Sequence, residues 1–411
     1  MTHKRILVPT NSSRLVRTLT TGAVAAIVGV VALAGCTDNR TGGTAEPGVS
    51  TTPGAGGPAK VTVTSTDDDC LVSEGEAPSG NVVFTVTNGG SKVTEFYLLG
   101  KDGLQIIGEV ENIGPGLTRD LVLRATPGSY FTACKPGMVG DGIRADFKVT
   151  DSGYKPTDTA AEAELIKTAN TQYGAYVRSQ AEELVVETRK FVALYKAGKH
   201  DEARTLYADA RMHWERIEPV AESFGDLDPK MDLREADLEE GQKWTGWHRI
   251  EKDLWPPESG YQGMTDSQRA AIADTLMADT NTLLRRTRSL TYTVDQIGNG
   301  AKELLDEVAT GKVTGEEEAW SHTDLWDFQA NLDGARVGFE GLRPVLKSKN
   351  PELDKQIATR LTALQELLDQ YRRGDGFVLY TALSKEQVKE LSDSVNALSE
   401  PLSKLTAAVT L

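Results

Sequence analysis

The residues most able to do chemistry lie between Trp214 and Trp255, where acidic, aromatic and histidine side chains are concentrated. His248 and Glu251 are three residues apart, so on a helix both side chains project from one face. An imidazole beside a carboxylate is half of a site for a metal ion of intermediate or hard character. The acidic residues that could supply the other half are Glu215, Glu218, Asp226, Asp228, Asp232 and Glu235. If these side chains converge in the fold, so much acid requires a compensating cation.

The alternative is that these residues bind nothing. A lone histidine on a helix is more often a surface or core residue, and an acidic run is more often a solvated face. Gly246 weighs against this alternative, because a glycine within a helical stretch costs about 1 kcal/mol. A glycine at this position indicates a bend or a close approach of two chain segments where His248 emerges.

The whole chain of 411 residues is acidic, with 45 Lys and Arg against 60 Asp and Glu and a formal net charge of -15. A surface of this sign repels phosphate backbones, so we expect no nucleic-acid partner. The same charge is compatible with collecting cations. The length predicts two or three domains.

The N-terminal region has the pattern of an export signal. Basic residues precede an apolar run, Ala23–Leu33, that is short for a membrane span and ends in Leu33-Ala34-Gly35-Cys36. This ending resembles a bacterial lipobox, which predicts that residues 1–36 are a lipoprotein signal peptide and that Cys36 is lipidated. A plain signal peptide with a chance cysteine is the alternative. We therefore expect an extracytoplasmic protein, at the cell surface or in the periplasm, attached to the cell membrane by its N-terminal lipid.

The remaining chain divides by composition. Residues 37–59 are rich in Gly, Thr and Pro and predict a flexible linker. Residues 60–150 contain short β-branched runs separated by turn residues, which predict a small all-β sandwich. Residues 160–411 have helical periodicity and predict an all-α helical bundle domain. The predicted helices include Asp201–Phe224, bent at Pro219, together with Asp266–Asp295 and Glu316–Leu342.

Three blocks of the helical region carry a family resemblance. Gly246–Glu251 resembles the Gly-x-His-x-x-Glu motif of the imelysin-like (M75) family. Trp214–Pro219, Phe224–Pro229 and Ser321–Asn331 are similar to the branch of that family found in a ferrous-iron permease system. The resemblance implies an imelysin-like domain that binds iron, as Fe²⁺ or Fe³⁺, through His248 and Glu251.

Further ligands and partners follow from the same resemblance. Glu215 and Asp232 are acidic residues of the matched blocks and are our choice of additional iron ligands. Glu318, His322 and Asp324 are expected to close the site from the later block. Carboxylate oxygen suits Fe³⁺, and one imidazole also accommodates Fe²⁺ or Zn²⁺ as a surrogate. The implied partners are a membrane iron permease and a haem-containing peroxidase.

The β-region also carries a resemblance. Glu95–Leu98, Glu111–Gly116 and Pro127–Cys134 resemble the cupredoxin-like domain of the same branch, and Cys134 with Met138 resembles a copper-ligand loop. No histidine lies between Lys60 and Thr150, so a blue-copper site of two histidines and one thiolate cannot form. The residues left for an atypical copper or iron site, able to oxidise Fe²⁺, are Cys70, Glu95, Glu111, Cys134 and Met138. The alternative is a Cys70–Cys134 disulfide, the default for an isolated pair in an exported protein.

Together these features predict an extracytoplasmic lipoprotein that captures iron and delivers it to a membrane iron permease. The alternatives are a metal-dependent enzyme, either a ferroxidase or a peptidase, and a cell-surface binding module for polysaccharide. A zinc peptidase typically needs three protein ligands and a general base. The chain has no His-Glu-x-x-His, no Gly-x-Ser-x-Gly and no cysteine in residues 160–411, so a hydrolase is disfavoured and no catalytic residue is assigned.

Overall fold

A computed structural model describes residues 57–156, 158–238 and 240–411. The predicted signal peptide, the lipidation site Cys36 and nearly all of the predicted linker lie outside these residues. Within the described part, the first strand begins at Ala59, the last residue of the predicted linker. None of the helices in these three ranges is both long and apolar enough to cross a bilayer.

The β-branched runs form two sheets. The strands are β1 (Ala59–Ser65), β2 (Cys70–Val72), β3 (Glu76–Pro78), β4 (Gly80–Asn88), β5 (Thr94–Leu99), β6 (Ile106–Ile113), β7 (Thr118–Ala125), β8 (Gly128–Cys134) and β9 (Ile143–Thr150). One sheet has the order β2-β1-β4-β7 and the other β3-β9-β8-β5-β6. β1 is parallel to β4 and β3 is parallel to β9, and the other pairs are antiparallel. The inner faces share one apolar core, so the predicted β-sandwich is confirmed.

Aromatic side chains and one disulfide hold the two sheets together. Phe84 of the first sheet lies with its ring centroid 5.2 Å from that of Phe96 in the second. Cys70 on β2 is bonded to Cys134 on β8, which links the sheets covalently. The disulfide alternative is therefore the one found. The alternative prediction, a metal site with both cysteines as thiolate ligands, is wrong for this structure, because the two sulfur atoms are bonded to each other.

The described residues from Ala160 onwards are mainly helical and have one continuous apolar core. The α-helices are α1 (Ala160–Lys196), α2 (His200–Glu215), α3 (Asp228–Met231), α4 (Trp247–Leu254), α5 (Asp266–Thr287), α6 (Val294–Thr310), α7 (Asp324–Lys349), α8 (Pro351–Asp369), α9 (Lys385–Leu402) and α10 (Leu405–Thr410). Short 3₁₀ segments span Glu218–Leu227, Glu235–Asp237, Lys312–Thr314 and Tyr380–Ala382, and a small ladder pairs β10 (Arg372–Arg373) with β11 (Gly376–Phe377). The predicted all-β region followed by an all-α domain is confirmed.

Two predicted helices end earlier than expected. The helix predicted over Asp201–Phe224 stops at Glu215 and continues as a 3₁₀ segment, because Pro219 has no backbone N–H to donate. The helix predicted over Asp266–Asp295 stops at Thr287, and α6 begins beyond Thr293, whose side chain takes part in a capping box.

The third boundary matters for the functional site. The helix predicted over Glu316–Leu342 begins only at Asp324. Gly315 and His322 both have left-handed backbones, with φ of 76° and 59°, and these angles are incompatible with a continuous right-handed helix. Residues 315–323, from Gly315 to the start of α7, are rich in turns. We call this stretch the acidic loop, because it carries Glu316, Glu317 and Glu318.

The sandwich packs directly on the helical domain, and both belong to one compact unit. Arg119 on β7 forms an ion pair of 2.8 Å with Asp306 on α6. The amide of Asn299, also on α6, donates to the carbonyl of Val122 over 3.0 Å. These polar contacts hold β6 and β7 beside α6, where the two domains border a common cleft.

Candidate metal centre

Gly246 sets the position of the predicted His-Glu pair. It precedes α4 with φ of 91°, and a Cβ there would lie 2.1 Å from the backbone carbonyl oxygen of Met231. Only glycine permits this approach of α4 to the chain that carries Asp232. The close approach predicted from Gly246 is confirmed, and it brings His248 beside Asp232.

The imidazole of His248 is fully buried and faces carboxylates on both sides. Nδ1 lies 3.3 Å from Oε2 of Glu251, one turn along α4. Nε2 lies 3.4 Å from Oδ1 of Asp232 and 3.3 Å from Oε1 of Glu317. Neither carboxylate meets hydrogen-bond geometry at Nε2, although both lie within ion-pair distance, and such poor geometry is unusual for a fully buried polar atom.

The spacing of these atoms fits a metal ion. Ligand atoms that lie about 2.0–2.2 Å from an ion are separated from one another by about 3.0–3.5 Å. The distances from Nε2 of His248 to the oxygens of Asp232 and Glu317 fall in this range. In such an arrangement Glu251 would orient the imidazole through Nδ1, as carboxylates behind ligand histidines commonly do.

The opposite ends of the carboxylates are held by protein donors. The indole of Trp214 donates to Oδ2 of Asp232 over 2.8 Å. The backbone N–H groups of Trp320 and Ser321 donate to Oε1 of Glu251 over 3.0 and 2.7 Å. This outer layer of hydrogen bonds fixes which oxygen of each carboxylate points towards the imidazole.

Three overlapping groups of side chains have ligand atoms within 4.8 Å of one another. The groups are Asp232–His248–Glu317, His248–Glu251–Glu318 and Glu215–Glu218–Asp232. The structure therefore brings together four predicted ligands. Three of them, Asp232, Glu251 and Glu318, lie near the imidazole of the fourth, His248. Glu215 belongs to the third group, on the far side of Asp232. Glu317 was not predicted, although it stands next to Glu318 in the sequence.

A lysine occupies the third group. The ammonium Nζ of Lys312 is fully buried and lies 2.9 Å from Oε2 of Glu215 and 2.7 Å from Oε2 of Glu218. One ammonium thus pairs with two carboxylates, and Glu215 is an ion-pair partner in this structure. Burial and the neighbouring Glu215 raise the pKa of Glu218 well above its usual range. Nothing in the sequence around Lys312 distinguishes it from a surface lysine.

An arginine occupies the middle of the cluster. The guanidinium of Arg211 is fully buried, with Nη2 lying 2.7 Å from Oε1 of Glu215 and 2.7 Å from Oε1 of Glu317. Its Nε lies 2.6 Å from Oε1 of Glu318, and its Nη1 pairs with Asp232. The expectation that the carboxylates require a bound ion is therefore wrong, because Arg211 and Lys312 supply much of the positive charge that balances them. The sequence feature that could have pointed to Arg211 is its spacing of four residues from both Tyr207 and Glu215, which places all three on one face of α2. The structure shows that this face is buried.

The electrostatics divide the carboxylates into two classes. Burial and the charge of Arg211 oppose a charged His248, yet its carboxylate partners raise the pKa of the imidazole well above its usual range. Burial raises the pKa of Asp232 and Glu317, but the nearby cationic side chains outweigh it and hold both pKa values low. Burial and the neighbouring Glu251 raise the pKa of Glu318 well above its usual range. Without metal, an imidazolium thus faces ionised Asp232 and Glu317.

The other acidic candidates have different partners. Asp226 pairs with Lys230 and Arg286, and Glu235 pairs with Lys252. His322 and Asp324 were also expected to close the site. Asp324 accepts a hydrogen bond of 3.2 Å from the backbone N–H of Glu318. The carbonyl of the other, His322, accepts one of 2.9 Å from the N–H of Tyr380. Neither Asp324 nor His322 belongs to the three groups, so they support the acidic loop rather than face the imidazole.

Apart from the bonded pair Cys70 and Cys134, the candidate residues of the β-domain have separate surroundings. Glu95 is buried beside Lys135, with Oε2 3.9 Å from Nζ, and accepts a hydrogen bond from the hydroxyl of Tyr97. Met138 and Glu111 line the cleft between the domains. Within the described ranges, no group of potential ligands includes a residue of the sandwich.

That cleft leads to the metal centre. Its volume is about 410 Å³, and its walls come from the sandwich and from the helical domain. The acidic residues that line it are Glu109, Glu111, Glu218, Asp228, Asp232, Asp237, Glu303, Glu307, Glu316 and Glu317. Asp232 and Glu317 belong both to the walls of the cleft and to the candidate centre, whereas the fully buried His248 does not line the cleft.

Comparison with known proteins agrees with this architecture. Residues 169–405 match the imelysin family, also called peptidase M75. The chain belongs to the imelysin family. The matched region runs from α1 to the start of α10, so the imelysin domain contains the whole centre. The iron uptake system component EfeO from Escherichia coli O157:H7, Escherichia coli K12 and Shigella flexneri is 35% identical over 357 residues, which cover 86% of this chain and 92% of each relative.

Proposed function

We propose that this imelysin-family protein binds iron outside the cytoplasmic membrane and delivers it to a membrane iron permease. The observation that carries the proposal is the buried Nε2 of His248, which lacks a hydrogen bond and lies 3.3–3.4 Å from carboxylate oxygens of Glu317 and Asp232. The similarity to the iron uptake system component EfeO supports iron as the ion. The residues fit iron, since one imidazole and several carboxylates accept Fe²⁺ and Fe³⁺.

Capture begins in the cleft, whose acidic walls raise the local concentration of cations. The ion then reaches Nε2 of His248 together with one oxygen each of Asp232 and Glu317. Binding requires a neutral imidazole, so His248 gives up its proton as the ion arrives. Glu251 holds the ring from the Nδ1 side, and Glu318 belongs to the group that Glu251 and His248 form.

The location and the partners belong to the same proposal. A lipid on Cys36 would tether the protein to the cell membrane, and the segment before Ala59 would let the compact unit reach a permease. A membrane iron permease and a haem-containing peroxidase are the proposed partners, and EfeO is a component of an iron uptake system.

Anaerobic titration of Fe²⁺ tests the centre directly. We expect His248→Ala, Asp232→Asn and Glu317→Gln each to weaken Fe²⁺ binding by at least about tenfold, as loss of metal-site residues does. Glu202→Gln is the control, because the side chain of Glu202 is 58% exposed and belongs neither to the cleft nor to the three ligand groups. Equal affinity of wild type and all three variants would refute the assignment.

A metallopeptidase is the second candidate function. The group of Asp232, His248 and Glu317 has the three ligands that a catalytic zinc site commonly has, with room for a further ligand in the cleft. A peptidase would cleave peptides when loaded with Zn²⁺ and lose that activity in His248→Ala. No cleavage by the Zn²⁺-loaded wild type would leave iron binding as the function of the centre.

A further inference from the structure

Arg211 contacts the same carboxylate oxygens that face the imidazole of His248. Its Nη2 lies 2.7 Å from Oε1 of Glu317, and Nε2 of His248 lies 3.3 Å from that oxygen. Its Nη1 pairs with Oδ1 of Asp232, which is also the oxygen nearest to His248. The guanidinium therefore touches both oxygens that an ion bound to Nε2 would use.

Arg211 has no route to solvent. Its side chain has no exposed surface, and five carboxylates surround the guanidinium, those of Asp232, Glu215, Glu317, Glu318 and Asp327. Arginine retains its proton at any physiological pH, so this charge remains when an ion arrives. Lys312 differs, because its ammonium lies between Glu215 and Glu218, away from His248.

We propose that Arg211 is a built-in counter-ion that weakens cation binding at the His248 centre and thereby allows a captured ion to be released. This inference rests on the proposed iron-binding function of the same centre. The fixed positive charge shares the ligand oxygens with the ion, so it withdraws negative charge from them and repels the ion across a short, buried distance. A carrier that delivers its ion to another protein needs such a limit on affinity, since tighter binding mostly slows release.

The competing explanation is that Arg211 only positions the ligands. Guanidinium groups hold carboxylates in fixed planes, and Arg211 holds several at once. The two roles predict opposite changes when the charge is removed. Loss of a positioning residue weakens ion binding, whereas loss of a counter-ion strengthens it.

The experiment compares Fe²⁺ release from the wild type and Arg211→Gln, by anaerobic stopped-flow mixing with an excess of a coloured ferrous chelator. We expect Arg211→Gln to release Fe²⁺ at least about tenfold more slowly, which corresponds to about 1.4 kcal/mol. Arg216→Gln is the matched control, because Arg216 forms a single ion pair of 3.1 Å with Asp333 outside the three ligand groups. Its release rate is expected to match that of the wild type.

Faster release or weaker binding in Arg211→Gln would overturn the inference in favour of positioning. Arg211→Lys keeps the charge but loses the planar fork, and it decides the question if Arg211→Gln does not fold. A release rate within about threefold of the wild type supports the counter-ion role, and a large loss of affinity contradicts it. A wild type that binds no Fe²⁺ would instead refute the proposed function, so the two failures are distinct.

Discussion

The indole of Trp214 donates a hydrogen bond of 2.8 Å to Oδ2 of Asp232. The other oxygen of this carboxylate, Oδ1, lies 3.4 Å from Nε2 of His248. Trp214 thus settles which oxygen of Asp232 faces the imidazole, although the indole is not itself a ligand. It also links the apolar core of the helical domain to the geometry of the metal centre.

Trp214→Phe tests this link, because it keeps an aromatic ring and removes the donor. We expect Fe²⁺ affinity to fall by about tenfold, since Oδ2 of Asp232 then loses its closest donor and the orientation of the carboxylate depends on Arg211. Trp244→Phe is a suitable control, because its indole donates over 2.7 Å to the carbonyl of Leu233 instead of a candidate ligand. Equal affinity of the two variants in anaerobic titrations would separate Trp214 from the centre.

Gly246→Ala is expected to destabilise the helical domain. The new Cβ would meet the carbonyl oxygen of Met231 at 2.1 Å, and the residue would also be strained at φ of 91°. We expect the free energy of unfolding to fall by about 3 kcal/mol or more in urea denaturation. Gly260→Ala shares a positive φ, 79°, but has open space around its Cβ position, so its cost should be about 1–2 kcal/mol. Similar costs for both variants would contradict the close approach.

Asp253, on α4 but outside the three ligand groups, makes stability depend on pH. Burial raises its pKa, but Arg269, the N–H of Met264 and the hydroxyls of Tyr195 and Tyr261 outweigh it and lower the pKa to about 2. The folded pKa lies below the unfolded value of about 3.9, so this stabilisation is complete above that value and is lost as the pH falls towards 2.

We therefore expect Asp253→Asn to lower the free energy of unfolding by about 2 kcal/mol at pH 7, and the difference to shrink between about pH 4 and pH 2. Denaturant titrations across this range measure it. Asp274→Asn is the control, because Asp274 pairs with Lys196 on the surface with 65% of its side chain exposed, and such pairs contribute little. A deficit that stays constant with pH would contradict the role of the Asp253 charge.

The disulfide predicts separate behaviour of the two domains. Replacing both Cys70 and Cys134 with serine is expected to lower the stability of the sandwich by about 2–5 kcal/mol, as loss of a native disulfide does in a small domain. The affinity of the His248 centre for Fe²⁺ should not change, because neither cysteine belongs to it. A Cys36→Ser chain titrated for thiols without reduction should show none, and two reactive thiols would restore the thiolate alternative.

Much of the fold follows from local pattern. Short β-branched runs separated by turn residues predict the sandwich, helical periodicity predicts the bundle, and Gly246 predicts the close approach beside His248. The predicted start of α7 was wrong because Gly315 and His322 adopt left-handed backbone conformations. These conformations depend on contacts with distant parts of the chain. The pairing of Glu251 with the N–H groups of Trp320 and Ser321, about seventy residues away, is one such contact.

The sequence by itself determined the His248–Glu251 pair, because a spacing of three residues on a helix leaves only one relative position. The tertiary structure alone decided that Asp232 and Glu317 face the other nitrogen of the ring. It also decided that Arg211 and Lys312 lie among the acids. Arg211 and Glu317 are 106 residues apart, and such a contact depends on how α2 and the acidic loop pack, which no local pattern encodes. Burial then strengthens the interactions between these charges, because water no longer screens them.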